Sequence, residues 1–103
     1  MADIMNLMSI CRRAGKLTLG KDEVKGSVHS GKAYIVLVTS DLSERSLSEI
    51  SRVCEEYETP IYEIPESMND VGSALGKVYG IMSVTDAGFA KAAVKRLKEP
   101  SPK

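Results

Sequence analysis

The stretch Tyr34-Ile-Val-Leu-Val-Thr39 decides the fold of this chain, because it is an unbroken apolar and β-branched run of strand length. Runs of this kind are typical of strands that are buried on both faces of a sheet. A sheet with such a strand needs a layer of helices on each side to keep both faces from water. The stretch therefore predicts a central strand within an α/β domain.

Helical and extended segments alternate on both sides of this central strand. Apolar residues at helical spacing begin with Ile4, Leu7, Met8 and Cys11. The predicted helices cover about residues 4–14, 22–30, 43–57, 68–75 and 87–97, and the predicted strands cover residues 17–19, 34–39, 61–64 and 81–84. This order predicts an α/β fold, a three-layer α/β/α sandwich with a roughly four-stranded mixed sheet and about five helices.

The length of the chain fits one domain. Its 103 residues are enough for a single hydrophobic core. We expect one folded domain over residues 1–97 and a disordered tail over residues 98–103, because two prolines and flanking charges there cannot continue a helix.

The composition argues against several classes of protein. Two distant cysteines, Cys11 and Cys54, and the single His29 favour packed, reduced thiols over a disulfide framework or a zinc site. One Phe, four Tyr and no Trp are too few for several stacking platforms for single-stranded nucleic acid. The sequence shows neither a signal peptide nor an apolar run of membrane-spanning length. We therefore expect a cytoplasmic protein that does not enter a membrane.

The 14 basic and 14 acidic side chains cancel over the whole chain but are unevenly distributed. Residues 1–40 carry six basic and three acidic residues, residues 41–70 carry two and nine, and residues 71–103 carry six and two. If the two ends of the chain meet in the fold, one face is basic and another is acidic. Segregated charge of this kind is the footprint that nucleic-acid binding requires, although solvated faces also carry charge runs.

The sequence lacks the motifs that carry catalysis or nucleotide binding. Gly15-Lys16 and Gly20-Lys21 do not have the spacing of a P-loop, and the recurring glycines do not match the dinucleotide fingerprint. His29 has no identifiable partner that would make it a base, and we interpret it as a surface histidine. No nucleophile, base and orienting group can be assembled from the sequence, so we expect no enzymatic activity.

The first candidate binding element is the start of the second predicted helix, Gly20-Lys-Asp-Glu-Val-Lys25. Free backbone N–H groups and the positive end of the helix dipole favour phosphate at such a position. Lys21 and Lys25 lie one turn apart on the same face. Asp22 and Glu23 leave two interpretations open, as residues that cap the helix or as part of a surface that contacts RNA.

The second candidate element is the loop Gly76-Lys-Val-Tyr-Gly80, in which Val78 and Tyr79 stand between glycines. One interpretation is that these two side chains pack back onto the domain. The other is that they offer an apolar edge to unstacked bases, since RNA-binding proteins favour bulges and loops whose bases are splayed out.

Four stretches together resemble the kink-turn-binding ribosomal proteins of the L7Ae type and their small bacterial relatives, over about residues 7–97. The stretches are Cys11-Arg-Arg-Ala-Gly-Lys-Leu-Thr-Leu-Gly20, Ser30-Gly-Lys-Ala-Tyr-Ile-Val-Leu-Val38, Val71-Gly-Ser-Ala-Leu-Gly-Lys77 and Val84-Thr-Asp-Ala-Gly-Phe-Ala90. The resemblance implies the same α/β/α sandwich. It also implies that the start of the second helix enters an RNA groove at a sharp bend, while the loop before the last strand covers a bulged base.

Family members typically carry Gly-x-Asn-Glu at that helix start, with a lysine three residues past the Glu. Here Asp22 stands in place of the Asn, and Gly26 occupies the position of the lysine, with Lys25 one residue earlier. An aspartate loses the amide donors of asparagine and adds a negative charge. In the loop, Val78, Tyr79 and Gly80 take the apolar contact positions.

The resemblance therefore implies non-catalytic binding of structured, kink-turn-like RNA by a ribosomal or ribosome-associated protein. We expect a monomer that needs neither a cofactor nor a metal ion. The predicted RNA-binding residues are Gly20, Lys21, Asp22, Glu23, Lys25, Lys77, Val78, Tyr79 and Gly80, and further candidates for phosphate contacts are Arg12, Arg13 and Lys16. The alternative is a protein-interaction module on the same fold, with a weakened RNA site and a binding surface in the acidic residues 41–70.

Overall fold

In the computed structural model, which describes residues 3–98, five helices and four strands alternate along the chain. The helices are α1 (Asp3–Arg13), α2 (Lys21–His29), α3 (Glu44–Glu56), α4 (Met68–Leu75) and α5 (Ala87–Lys98), and the strands are β1 (Leu17–Leu19), β2 (Ile35–Val38), β3 (Ile61–Glu63) and β4 (Ile81–Val84). The expected tail lies outside the described residues, apart from Lys98, which ends α5. None of the helices within residues 3–98 combines the length and the apolar character that crossing a membrane requires.

The four strands form one mixed sheet in the order β1-β4-β2-β3. Both β1 and β2 pair antiparallel with β4, and β3 pairs parallel with β2. The two interior strands, β2 and β4, are buried along their whole length. The prediction of a central, doubly buried strand is therefore confirmed, although Tyr34 precedes β2 and is exposed.

Alternate side chains of β2 enter two separate cores, which confirms the three-layer sandwich. The first core contains Ile35 and Leu37 together with buried residues of α1, α4 and α5. The second core contains Val36 and Val38 together with buried residues of α2 and α3. The two ends of the chain therefore meet, because α1 and α5 lie in the same helical layer.

Polar side chains fix the starts of three helices. Ser43 caps α3, and the carboxylate of Asp86 accepts the backbone N–H of Phe89 in the first turn of α5. α4 begins with a reciprocal pair, in which the Ser67 hydroxyl accepts the N–H of Asp70 and the Asp70 carboxylate accepts the N–H of Ser67. These contacts satisfy backbone donors that a helix start would otherwise leave without partners.

Tyr57 lies just beyond α3, although it stood at the end of the predicted helix over residues 43–57. Its side chain is 43% exposed. It follows the last residue of α3, and its hydroxyl shares a hydrogen bond of 2.7 Å with Nδ1 of His29 at the end of α2. At this position the phenol hydroxyl has the polar partner that such a group usually finds. The same contact gives His29 a partner that the sequence did not reveal.

We expect Ser67→Ala to lower the free energy of unfolding by about 1 kcal/mol, because it removes the oxygen that caps α4. Urea denaturation measures the difference. Ser73→Ala is the matched control, since Ser73 is an exposed residue within the same helix. Equal stability of the two variants would contradict a stabilising role for the Ser67–Asp70 pair.

Both cysteines are free thiols in the interior, as predicted. Cys11 belongs to the first core and Cys54 to the second. Burial raises the pKa of each thiol from 9.0 to about 11, and the negative charge of Asp86 adds to the shift at Cys11. The thiols are therefore protonated and unreactive at neutral pH.

We expect the free energy of unfolding to fall as the pH rises from about 9 to about 11. In this range the thiols of the unfolded chain ionise while those of the folded chain stay protonated, so rising pH favours the unfolded state. Urea midpoints at several pH values measure the decline. The double variant Cys11→Ala, Cys54→Ala should be less stable at pH 7, but its free energy of unfolding should fall less steeply as the pH rises. An equally steep decline in that variant would assign the effect to other groups.

Candidate functional site

The register of the sheet brings the two predicted binding elements together. β1 and β4 pair so that Leu19 lies opposite Met82. One residue further along, the backbone N–H of Gly20 donates to the carbonyl of Ile81 at 3.0 Å. The start of α2 therefore lies beside the end of the loop formed by residues 76–80, which we call the α4–β4 loop.

Gly20 and Tyr79 form the direct contact between these elements. Gly20 precedes α2 with φ 97° and ψ 150°, a conformation that side chains rarely adopt. A Cβ atom placed on Gly20 would lie 3.6 Å from Cε1 of the Tyr79 ring, which shows that the ring covers the glycine backbone. Tyr79 itself is partly buried and packs against the first core. The aromatic ring thus joins the loop to the start of the helix.

The start of α2 has no side-chain cap within the part of the chain that the structure describes. Asp22 and Glu23 lie in the first turn of α2, where their charges favour the positive end of the helix dipole, and both are exposed. Asp22 and Glu23 therefore favour the helix start through their charge, without a side-chain hydrogen bond at the N-cap position. The N–H groups of the first turn stay open to an external acceptor.

Lys21 forms an ion pair that the sequence did not reveal. Its Nζ lies 2.7 Å from Oε1 of Glu49 on α3, and the two side chains are 40% and 38% exposed. The hydrogen bond from Lys21, its charge and the charge of Lys25 hold the pKa of Glu49 below its usual value. The predicted separation of basic and acidic faces is therefore incomplete, because acidic α3 packs beside the lysines of α2.

The α4–β4 loop is held at both ends. Gly76 ends α4 in the left-handed conformation with φ 89°, and its N–H donates to the carbonyl of Gly72. The guanidinium of Arg12 donates to the carbonyl of Leu75, the last residue of α4. At the other end, the carbonyl of Gly80 accepts the N–H of Thr39 at 3.0 Å. The loop is therefore a short bridge between two fixed points.

Val78 and Tyr79 each fit a different one of the two interpretations of the loop. Val78 is 59% exposed, and a Cβ atom placed on Gly72 would lie only 2.9 Å from its Cγ2 atom. The side chain of Val78 therefore rests on α4 while most of its surface faces solvent. Tyr79 packs back onto the domain, as described above. The loop therefore presents Val78 to solvent, while the ring of Tyr79 lies against Gly20 and the first core.

The other predicted cations occupy different places. Lys77 is exposed within the α4–β4 loop, and Arg13 lies with Arg12 beside the end of α4. Lys16 immediately precedes β1, at the opposite end of that strand from Gly20. The strand geometry places the backbones of these two residues about 13 Å apart. The structure thus brings Lys77 to the site, uses Arg12 to hold the loop, and leaves Lys16 away from the start of α2.

A shallow polar groove runs along the exposed face of α2. Asp22, Gly26 and Ser30 follow one another at intervals of one helical turn, and Gly26 leaves open space at the centre. The residues that line the groove are Thr18, Asp22, Glu23, Gly26, Ser27, Ser30 and Lys32. The predicted RNA-binding residues did not include Thr18, Gly26, Ser27, Ser30 and Lys32, although the spacing of four residues was a signal for Gly26 and Ser30. Within residues 3–98, no group of acidic, histidine or cysteine side chains is placed to share a metal ion.

We expect Gly26→Ala to stabilise the fold and Gly72→Ala to disturb the α4–β4 loop. A Cβ atom on Gly26 meets nothing within 4 Å, so alanine should raise the free energy of unfolding by about 0.5–1 kcal/mol through helix propensity. A Cβ atom on Gly72 meets Val78 at 2.9 Å, so alanine there should displace the loop. Urea denaturation and amide NMR spectra of residues 76–80 measure the two effects. Unchanged loop resonances in Gly72→Ala would contradict the contact with Val78.

Comparison with known proteins identifies a family and several relatives with similar sequences. The model of the family described as ribosomal protein L7Ae/L30e/S12e/Gadd45 matches residues 2–94. RNA-binding protein YlxQ of Enterococcus faecium is 33% identical over 84% of this chain and 84% of its own length, and RNA-binding protein YlxQ of Bacillus subtilis is 32% identical over 88% and 91%. Large ribosomal subunit protein eL30 of Candida albicans is 30% identical over 84% and 83%.

Solved structures share the fold. A protein described as of unknown function from Bacillus halodurans superposes with a TM-score of 0.88 at 25% identity, covering 96% of this chain and all of the other. The 15.5kD RNA binding protein of Giardia lamblia superposes with a TM-score of 0.78 at 19% identity, covering 94% and 86%. The second likeness shows the fold alone.

Proposed function

The chain belongs to the ribosomal protein L7Ae/L30e/S12e/Gadd45 family, and we propose that it binds structured, kink-turn-like RNA through the start of α2 and the α4–β4 loop. The observation that carries this proposal is the contact between Gly20 and Tyr79, which unites the two elements in one surface. The RNA-binding proteins of this family are non-catalytic, in agreement with the expectation of no enzymatic activity.

The names of the relatives support RNA as the ligand. Both YlxQ proteins are named as RNA-binding, and each aligns with most of this chain. The eL30 relatives are named as proteins of the large ribosomal subunit. By analogy, we propose that this chain acts in the cytoplasm as a ribosome-associated protein, and that it binds RNA as a monomer.

Phosphate recognition follows from the open start of α2. Its N–H groups and dipole attract an anion, and Gly20 permits close approach of a backbone. Lys21 and Lys25 lie on the same side of α2, and Lys77 extends from the neighbouring loop. A sharply bent RNA brings phosphates of two strands near each other, which suits cations that converge from two elements of the protein.

Val78 supplies the contact for a base. Its exposed methyl groups offer an apolar surface to an unstacked base. Because the side chain already contacts Gly72, it loses little conformational entropy when a base binds. The ring of Tyr79 is partly buried against Gly20 and the first core, so it is less free to stack on a base. We therefore propose that Val78 makes the main apolar contact and that Tyr79 holds the loop against Gly20.

The test is a gel-shift titration with a kink-turn RNA and with an unbent duplex of the same length. We expect tighter binding of the kink-turn RNA, and a slope of roughly −2 to −4 for log affinity against log salt, from three to five phosphate contacts. Equal binding of the two RNAs at moderate salt would contradict the specific claim. Lys77→Glu should weaken binding strongly, while Lys16→Glu, with the same charge change, should have a small effect because Lys16 lies away from the start of α2.

A gain of affinity is expected from the double variant Asp22→Asn, Gly26→Lys. The change restores the amide and the lysine that family members typically carry, and Gly26 has open space for the new side chain. One added charge-assisted contact is worth about 1.5 kcal/mol, so affinity for the kink-turn RNA should rise about tenfold. Gly26→Ala is the control and should leave affinity unchanged. A double variant that binds no better would show that this chain engages RNA in a different register.

The alternative function, a protein-interaction module, is favoured by the exposed carboxylates of α3. Glu44, Glu55 and Glu56 face solvent on that helix. Capture of a protein partner that survives nuclease treatment and persists after Lys21→Glu with Lys77→Glu would support this function. Loss of the protein partner under either condition would favour RNA binding as the function.

A further inference from the structure

We propose that Glu49 sets the strength of the RNA site by holding Lys21, so that an RNA phosphate must compete with a carboxylate of the protein itself. This inference rests on the proposed function, because it concerns the same surface. It assigns a role to an acidic residue of α3 that the resemblance does not include among the RNA contacts. The ion pair between Lys21 and Glu49, at 2.7 Å, is its starting point.

The core holds the backbone of Glu49 in place. Glu49 immediately precedes Ile50, whose side chain is fully buried in the second core. A second polar link, from His29 to Tyr57, joins the far ends of α2 and α3. Lys21, in contrast, carries its charge on a flexible four-carbon stem. When RNA binds, the longer stem of Lys21 lets its ammonium turn towards phosphate, while the backbone of Glu49 stays in place.

The location of Lys21 makes the competition effective. Lys21 is the first residue of α2 and directly follows Gly20, where the open N–H groups attract phosphate. Each of the two groups in the ion pair is about two-fifths exposed, so water screens the pair and a phosphate can displace it. An RNA that offers one phosphate must give up part of its binding energy to release Lys21. An RNA whose phosphates converge on the start of α2 recovers that loss, so Glu49 acts against binding of ordinary RNA.

Glu49→Gln is the informative variant. It removes the charge and keeps the size of the side chain, so Lys21 becomes available to phosphate. We expect the affinity for the kink-turn RNA to rise about two- to fivefold at 0.1 M salt, the range that exposed ion pairs support. The salt slope should stay close to that of the wild-type protein, because Lys21 reaches the same phosphate in both complexes.

Glu56→Gln is the matched control. Glu56 lies on the same helix, two turns further along and about 10 Å away, and it is exposed. The charge change is identical, and the distance from Glu49 equals the screening length at 0.1 M salt. Glu56→Gln should leave both affinity and slope unchanged. An equal gain in both variants would overturn the proposal, because the effect would then follow net charge alone.

A double variant separates release of Lys21 from direct repulsion of RNA by Glu49. If Glu49 acts by holding Lys21, the gain from Glu49→Gln should disappear in a Lys21→Gln background. A gain that persists there would overturn the proposal.

The ion pair also has a readout that needs no RNA. Lys21→Gln should return the pKa of Glu49 towards its ordinary value of 4.5, measured by NMR titration of the free protein. An unchanged pKa would show that Lys21 and Glu49 do not form the ion pair in solution, and this would overturn the proposal. Failure of the wild-type protein to bind RNA at low salt would instead contradict the proposed function, so the two failures are distinguishable.

Discussion

The pairing of β2 with β4 is the constraint on which the rest of the structure depends. Both strands are fully buried, and each places alternate side chains in the two cores, so neither helical layer has a core without them. The antiparallel register of this pair fixes where each adjoining segment begins and ends. Because Val38 lies opposite Ile81, the last residue of β2 and the first residue of β4 lie side by side at the same end of the two strands.

The candidate site follows from this register rather than from any single residue. The start of β4 is hydrogen-bonded on both sides, with Gly20 donating to Ile81 and Thr39 donating to Gly80. The loop that precedes β4 therefore lies against the start of α2 as soon as the sheet forms. A surface that combines a helix start with an apolar loop is a consequence of how the central strands pair. The proposed binding surface thus depends first on backbone geometry, and side chains such as Lys77 and Val78 complete it.

Much of this could be predicted from the sequence. The run that forms β2 predicted the layered fold, and the glycine before α2 and the loop between glycines pointed to the two elements of the site. Contacts between helices could not be predicted, because they depend on how α2 packs on α3 and how α1 packs on α4. The ion pair of Lys21 with Glu49 and the bond from Arg12 to Leu75 join residues 28 and 63 positions apart. Both redirect cations that the sequence alone would assign to phosphate.

The two edge strands have a consequence for behaviour at high concentration. β1 and β3 contain only three residues each, whereas the longer strands lie inside the sheet. A strand edge with free N–H and C=O groups is a template for pairing with another chain, and a template of three residues offers few bonds to a newcomer. These short edges therefore leave the sheet little tendency to pair with a strand of another chain.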